Sequence, residues 1–293
     1  MSPDAAVRRS CLSVPASDRG KVDKAVGLAA DEIVFDLEDS VVANVKARAR
    51  VVLAARLPEL MLGGRSAAVR VNPVGTPWCH RDVLCLMENV APGSLVLPKV
   101  SGPSDIAFLD RLPAGIEAAS GPDRHIGIQV LIESPDALHR VDEIAAASPR
   151  IQALILGYAE LGAALGISYW DLNVWLPAQQ AVLLAARRHG LQAIDGPCLA
   201  YTDEAGQSAA NRGARDLGFD GKWVIHPRQL ADVNQVFTPT TDEVERALTS
   251  QAAMERAERD GAGAVAVDGE MVDPAVVAGA RRILARAAAA SAR

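Results

Sequence analysis

The residues best suited to chemistry are two glutamates, one arginine and a cluster of acids, all closing or following apolar segments. Glu133 ends the run VLIE, and Glu160 lies just beyond LILG. A hard divalent cation such as Mg2+ keeps several waters and takes only one or two protein carboxylates, so this pair is the candidate ion site. Glu160 also fits a plainer role at the start of a helix, whose dipole favours an acid there. Glu133 is harder to explain that way, because a carboxylate closing an apolar strand costs several kcal/mol to bury without a cation or donors. Arg70 closes AAVR, and its planar fork suits a bidentate grip on a substrate carboxylate, or else an ion pair with Glu38 or Asp39.

Asp36, Glu38 and Asp39 stack negative charge at one strand end, which arginine, lysine or a metal's water shell must offset. Their expected work is to orient metal-bound waters and Arg70; Glu38, Asp39, Arg70 and Lys99 form the substrate-binding set. Lys46 and Arg50, further along the chain, read as solvated or structural.

Eight short aliphatic runs must position these groups: residues 11–15, 32–38, 67–72, 95–100, 126–133, 152–157, 191–196 and 222–227. Helical stretches such as 41–57 and 179–189 lie between them, the rhythm of βα units. Near-continuous apolar runs fit parallel strands buried on both faces. The expected fold is α/β, a (β/α)8 TIM barrel, with an open doubly wound sheet as the alternative. In a barrel the C-terminal strand ends meet on one face. Asp36, Glu38, Asp39, Arg70, Asn72, Lys99, Glu133, Asp195 and His226 all fall at such ends and are expected around one pocket.

Beyond Phe237 the pattern changes. Thr240 and Glu243 have capping-box spacing and open a charged helix to about residue 259. An extended piece, 264–272, follows, and then Asp273-Pro274 reads as an N-cap with proline in the first turn of a last helix. The chain therefore divides into a barrel, 1–237, and an extension, 238–293, too small for a core of its own and expected to lie over the barrel mouth or a neighbouring subunit.

Composition narrows the function classes. The 293 residues are 49% hydrophobic and 23% charged, which excludes disorder and predicts a soluble globular protein. A net charge of -6 with no basic run argues against a nucleic-acid partner. No stretch reaches the roughly 20 apolar residues that cross a bilayer, and the N-terminus carries no secretory pattern. Four scattered cysteines without a CxxC give no zinc site and fit reduced thiols in a cytoplasm.

The ordered motifs VFDLEDSV, VRVNPVGT, LVLPKV, LIESPDALHRVDEIA, GYAELGAALG, LQAIDG, GFDGKWVIHPRQ and GAVAVDGEMVDPAVV run nearly end to end. Together they resemble the citrate lyase β-subunit-like (CitE-like) branch of the HpcH/HpaI aldolase family, which includes malyl-CoA lyases. The resemblance implies a TIM barrel of the phosphoenolpyruvate/pyruvate type, a homotrimer or hexamer, and a C-terminal lid segment reaching over a neighbour's active site. It also implies Mg2+, with Mn2+ as an alternative, held by Glu133 and Glu160, the latter at the family's Asp position. Arg70 matches the arginine at the substrate's oxygen-rich end, and Asp273 the lid aspartate that acts as acid or base.

The implied reaction is reversible Claisen- or aldol-type cleavage of a malyl-, citramalyl- or citryl-type thioester to an α-keto acid and an acyl-CoA. Ala159 stands where the family has an acid, and Ser13 and Asp18 where it has an aromatic residue and an arginine around CoA. Lys24 and Arg19 are the cations left to meet the CoA moiety. Two alternatives accompany this reading. One is a CoA-independent hydroxy-keto-acid aldolase. The other is a citrate-lyase-like subunit that works with an acyl-carrier protein or lacks catalysis.

Overall fold

A computed structural model describes residues 7–60, 65–89, 92–120, 126–167 and 172–291. Eight strands, β1 (Ser10–Pro15), β2 (Glu32–Asp36), β3 (Ser66–Arg70), β4 (Ser94–Leu97), β5 (Gly127–Ile132), β6 (Ile151–Leu156), β7 (Gln192–Asp195) and β8 (Gly221–Val224), pair in sequence order and close into one barrel. Every pairing is parallel, including β1 with β8, and helices occupy the connections. This is a (β/α)8 TIM barrel, and it excludes the open sheet.

The interior is built in layers by the two-residue alternation of strands. Cys11, Val34, Ala68, Val96, Leu131, Ile155, Ile194 and Trp223, one from each strand, meet in the middle layer. Two residues earlier along their strands lie Glu32, Ser66, Ser94, Gln129 and Gln192, a polar layer at the N-terminal end. Glu32 is fully buried there, paired with Arg8 at 2.9 Å and accepting from Ser66 and Gln129. Two residues beyond the middle layer lie Asp36, Arg70, Glu133 and Gly157, at the C-terminal end. The fold thus presents carboxylates and an arginine to one mouth of a closed apolar plug.

The helical stretch expected over 41–57 begins as a short 3-10 turn, Ala43–Val45, and continues as Lys46–Leu60; the one expected from 179 begins earlier, Leu172–Arg188. Lys46 and Arg50 are buried rather than solvated: Lys46 Nζ donates to the carbonyls of Leu37 and Glu38, and Arg50 pairs with Asp82 at 2.8 Å. Both are structural: Lys46 ties its helix to the loop that carries Glu38, and Arg50 ties it to Asp82 in the helix Cys79–Asn89.

The contacts divide the chain into Arg8–Asn234 and a second unit from Gln235 onward. In the second unit, Thr240 and Glu243 form a reciprocal capping box at the start of the helix Thr241–Arg259. The segment expected to be simply extended folds into a hairpin, β9 (Val265–Val267) and β10 (Glu270–Val272). Its two-residue turn, Asp268-Gly269, has φ of 50° and 85°, as a type I′ turn requires. The extension, expected to be too small for a core of its own, has a small one, in which Val272 and Val277 pack with Met254, and the helix Pro274–Ser291 closes the unit. Among the described residues no helix is long and apolar enough to cross a membrane.

Candidate active site

Arg70 and Asp36, opposite one another in the β2–β3 register, form the frame of the mouth. Arg70 Nε and Nη2 donate to the two Asp36 oxygens at 2.8 and 2.6 Å, and the amides of Glu38 and Ser40 donate to the same carboxylate. Burial alone would push the Asp36 carboxyl up, but Arg70 and these donors hold it below its usual value. Burial likewise works against the Arg70 charge and is outweighed by Asp36 and Glu38, so the guanidinium stays protonated. One edge of the fork is therefore committed to Asp36, not to Asp39, while Nη1 reaches toward Glu38 at 3.2 Å.

Glu38 is 2% exposed and lies between Arg70 and Lys99, whose Nζ is 2.6 Å from it. Neither contact has hydrogen-bond geometry, so both buried oxygens are near cations without a directed donor. Burial raises this carboxyl, and the two cations do not bring it back. Lys99 follows β4 with a positive φ of 51°, a backbone strain a non-glycine residue holds only where its surroundings enforce it. That turn aims the Lys99 amide at Glu133 Oε1, 2.5 Å away, while its amine bridges Glu38 and Asp39. Burial opposes the Lys99 charge, but the two carboxylates raise it above its usual value.

Glu133, 4% exposed, stands just past β5. The facing residue, Gly157, must lack a side chain, since a Cβ there would come within 2.5 Å of the Glu133 Cβ. Burial pushes the Glu133 carboxyl up to about 7, and the charge of Glu160 adds to the shift against the Lys99 amide. Glu160 is half-buried in the first turn of the helix Tyr158–Leu165. Its place in the first turn complements the helix dipole, and its charge acts on Glu133.

Five carboxylates, Asp36, Glu38, Asp39, Glu133 and Glu160, gather around two cations, Arg70 and Lys99. Three of the five, Asp36, Glu38 and Glu133, are buried, and the excess of negative charge over the two cations fits a small divalent cation. No cluster of three or more His, Cys, Asp or Glu arranged as ligands occurs among the described residues. A two-carboxylate site completed by water and substrate oxygens is the arrangement Mg2+ accepts. Glu133, buried, and Glu160, half-buried, are the two carboxylates that would hold it.

The expectation that all polar strand ends converge is corrected at two positions. Asp195 lies one residue past the interior Ile194, so it turns outward and pairs with Lys222. His226 caps the 3-10 turn Pro227–Gln229, accepting from the Arg228 amide, and stacks on Tyr201. Asn72 is buried and serves the framework, donating to the Leu37 carbonyl and to Asp82. Asp273 belongs to the second unit, where its Oδ1 accepts from the amides of Ala275 and Val276. The capping reading is correct, and it engages only one of the two carboxylate oxygens.

Arg19 and Lys24 are exposed on the helix Arg19–Val26, whose N-cap is Asp18. Arg19 lines a groove of about 450 Å3 between that helix and Lys46–Leu60. Its floor is apolar, including Val22, Val52 and Leu53, and Arg48 and Arg56 also line it. Sequence reasoning missed the last two, although residues 48, 52 and 56 repeat at helical spacing along one face. Exchanging Arg70 for lysine keeps a charge beside Asp36 but loses the fork. The variant should stay folded and lose roughly a hundredfold in kcat/KM, as steady-state kinetics beside thermal unfolding would show.

Residues 9–227 match the HpcH/HpaI aldolase/citrate lyase family. The chain is 36% identical to the L-malyl-CoA/beta-methylmalyl-CoA lyase of Cereibacter sphaeroides, covering 97% of this chain and 96% of that one. It is 39% identical to the (3S)-malyl-CoA thioesterase of the same organism, covering 97% and 96%. Among solved structures, CitE of Mycobacterium tuberculosis in complex with magnesium, acetoacetate and coenzyme A superimposes with a TM-score of 0.77 at 29% identity, covering 98% of this chain and 99% of that one. With the barrel and its acidic mouth, these likenesses make the chain a member of the HpcH/HpaI aldolase/citrate lyase family.

Proposed function

We propose that the protein is a Mg2+-dependent carbon–carbon lyase that cleaves a malyl-, citramalyl- or citryl-type CoA thioester into an α-keto acid and an acyl-CoA, reversibly. The carrying observation is Glu133, a buried carboxylate held near neutrality beside Glu160 at the C-terminal mouth of the barrel. When bound there, Mg2+ would chelate the keto-acid fragment and polarise its carbonyl as a Lewis acid. Arg70, immobilised by Asp36, offers its remaining N–H groups to the oxygen on which charge develops. Lys99 and Asp39 border the same mouth and contribute to substrate binding, as does Glu38.

In cleavage the hydroxyl gives its proton to solvent water, the carbon–carbon bond breaks and the keto C=O forms. The released electron pair goes to the thioester α-carbon, which takes a proton from Asp273; in condensation Asp273 removes that proton. Capping engages only Oδ1 of Asp273, so the same side chain has an oxygen for this work. We assign the extension, 238–293, to a lid over a neighbouring subunit's site in a homotrimer or hexamer, and the enzyme to the cytoplasm.

The arginine-lined groove supports the CoA reading, because an apolar floor with Arg19, Arg48 and Arg56 suits a phosphorylated nucleotide. Lys24, exposed on the same helix, adds charge nearby. Replacing Arg19 and Arg48 together by glutamine is expected to raise KM for the thioester roughly tenfold while kcat falls far less. Unchanged KM would remove the groove from CoA binding.

Malyl-, citramalyl- and citryl-CoA, assayed for keto-acid release with Mg2+ and with EDTA, test the function. Stoichiometric acyl-CoA and keto acid, lost in EDTA, is the expected result. The thioesterase relative supports a second reading, hydrolysis of the thioester, for which free CoA would appear without keto acid.

A further inference from the structure

The helix that carries Glu160 begins without an ordinary anchor. Its N-cap is Gly157, which makes no side-chain capping bond and is kept bare by the approach of Glu133. The first helical residue, Tyr158, is instead 7% exposed and bound on three sides. Its hydroxyl donates to Asp195 Oδ1 at 2.5 Å and accepts from Gln179 Nε2 at 2.7 Å. Its ring meets Trp175 edge-on at 4.9 Å between centroids. Asp195 is itself held by the buried amine of Lys222.

This network lies outside the barrel sheet. Asp195 follows Ile194, and Lys222 precedes Trp223, both interior residues, so the two charged side chains point toward the surrounding helices. Gly196 keeps space for the tyrosine, since a Cβ there would come within 2.5 Å of its ring. Tyr158 thereby ties the first turn of one helix to β7 and β8, two residues before Glu160. A carboxylate in a first turn moves with that turn, and outer partners of this kind fix the orientation of metal ligands.

We infer that Tyr158, through Asp195 and Lys222, is a positioning residue that sets where the Glu160 carboxylate stands relative to Glu133. The inference rests on the reading of Glu133 and Glu160 as the ion's ligands, and its test is built to fail separately from that reading.

Mg2+ binding is measured by calorimetry on the full-length protein, beside thermal unfolding in EDTA, for wild type, Glu160→Gln, Tyr158→Phe and Gln179→Met. Binding by wild type that is lost in Glu160→Gln upholds the ligand assignment. Tyr158→Phe keeps the ring and its packing, and should weaken Mg2+ roughly tenfold. Its KM for the keto acid in the condensation direction should rise with the ion's dissociation constant. Gln179→Met leaves the bond to Asp195 and should weaken Mg2+ less, in the same direction. A Tyr158→Phe protein that unfolds at lower temperature yet binds Mg2+ as wild type does would make the network purely structural and overturn the inference. If Tyr158→Phe does not fold, unchanged Mg2+ affinity in Gln179→Met overturns it equally. Wild type that binds no Mg2+, or Glu160→Gln that binds it normally, overturns the ligand assignment and the inference with it.

Discussion

Replacing Glu133 by glutamine is expected to abolish turnover and, in EDTA at pH 8, to stabilise the fold. The loss follows from the ion: a Lewis acid contributes several kcal/mol to the transition state, so kcat/KM should drop at least about a thousandfold. The gain follows from the carboxyl's own equilibrium. Its value lies near 7 in the folded protein against 4.5 ordinarily, so the folded chain binds that proton more tightly than the unfolded one. Stability from this group is complete below about 4.5 and lost as pH rises through 7, a penalty of up to about 3 kcal/mol at pH 8. Glutamine has no such proton and still offers an oxygen to the Lys99 amide. Thermal unfolding at pH 5 and pH 8 should show the variant's advantage growing with pH; a variant less stable than wild type at pH 8 would deny the crowding of charge.

Asp273→Asn is expected to keep the last helix and lose between a hundredfold and ten-thousandfold in turnover. Asparagine retains the oxygen that accepts from Ala275 and Val276, so the cap survives, but it cannot carry the proton. Unfolding temperature should scarcely change while keto-acid release falls. If the lid crosses to a neighbour, subunits bearing Asp273→Asn mixed with subunits bearing Glu133→Gln should regain activity, because some sites then combine an intact barrel with an intact lid. A mixture as inactive as its parents would place Asp273 on its own subunit's site or outside the chemistry.

The barrel was legible in the sequence because strands buried on both faces leave long aliphatic runs, and their order alone gives the closure. The candidate site was legible as far as the two-residue alternation extends. Asp36, Arg70 and Glu133 each lie two positions past an interior residue, Val34, Ala68 and Leu131. Asp195 ends a strand just as they do, but lies one position past Ile194, and polarity at a strand end without that parity sent it to the wrong face. Long side chains hid more: Lys46 and Arg50 are buried because their partners, two loop carbonyls and Asp82, come from other segments. The polar layer around Glu32 was invisible for the same reason, since Arg8 and Gln129 meet it only after closure. Nothing in the sequence marks Tyr158, and only its partners from other segments, Asp195 and Gln179, give it a role.

The central claim is that Glu133 and Glu160 together grip a divalent cation at the barrel mouth. A crystal grown with Mg2+ and glyoxylate, pyruvate or oxaloacetate tests it most directly. The account predicts an octahedral ion about 2.1 Å from an oxygen of each glutamate, its remaining positions filled by the keto acid and water. The two carboxylates turned apart with no ion between them, or an ion seated elsewhere, would contradict it.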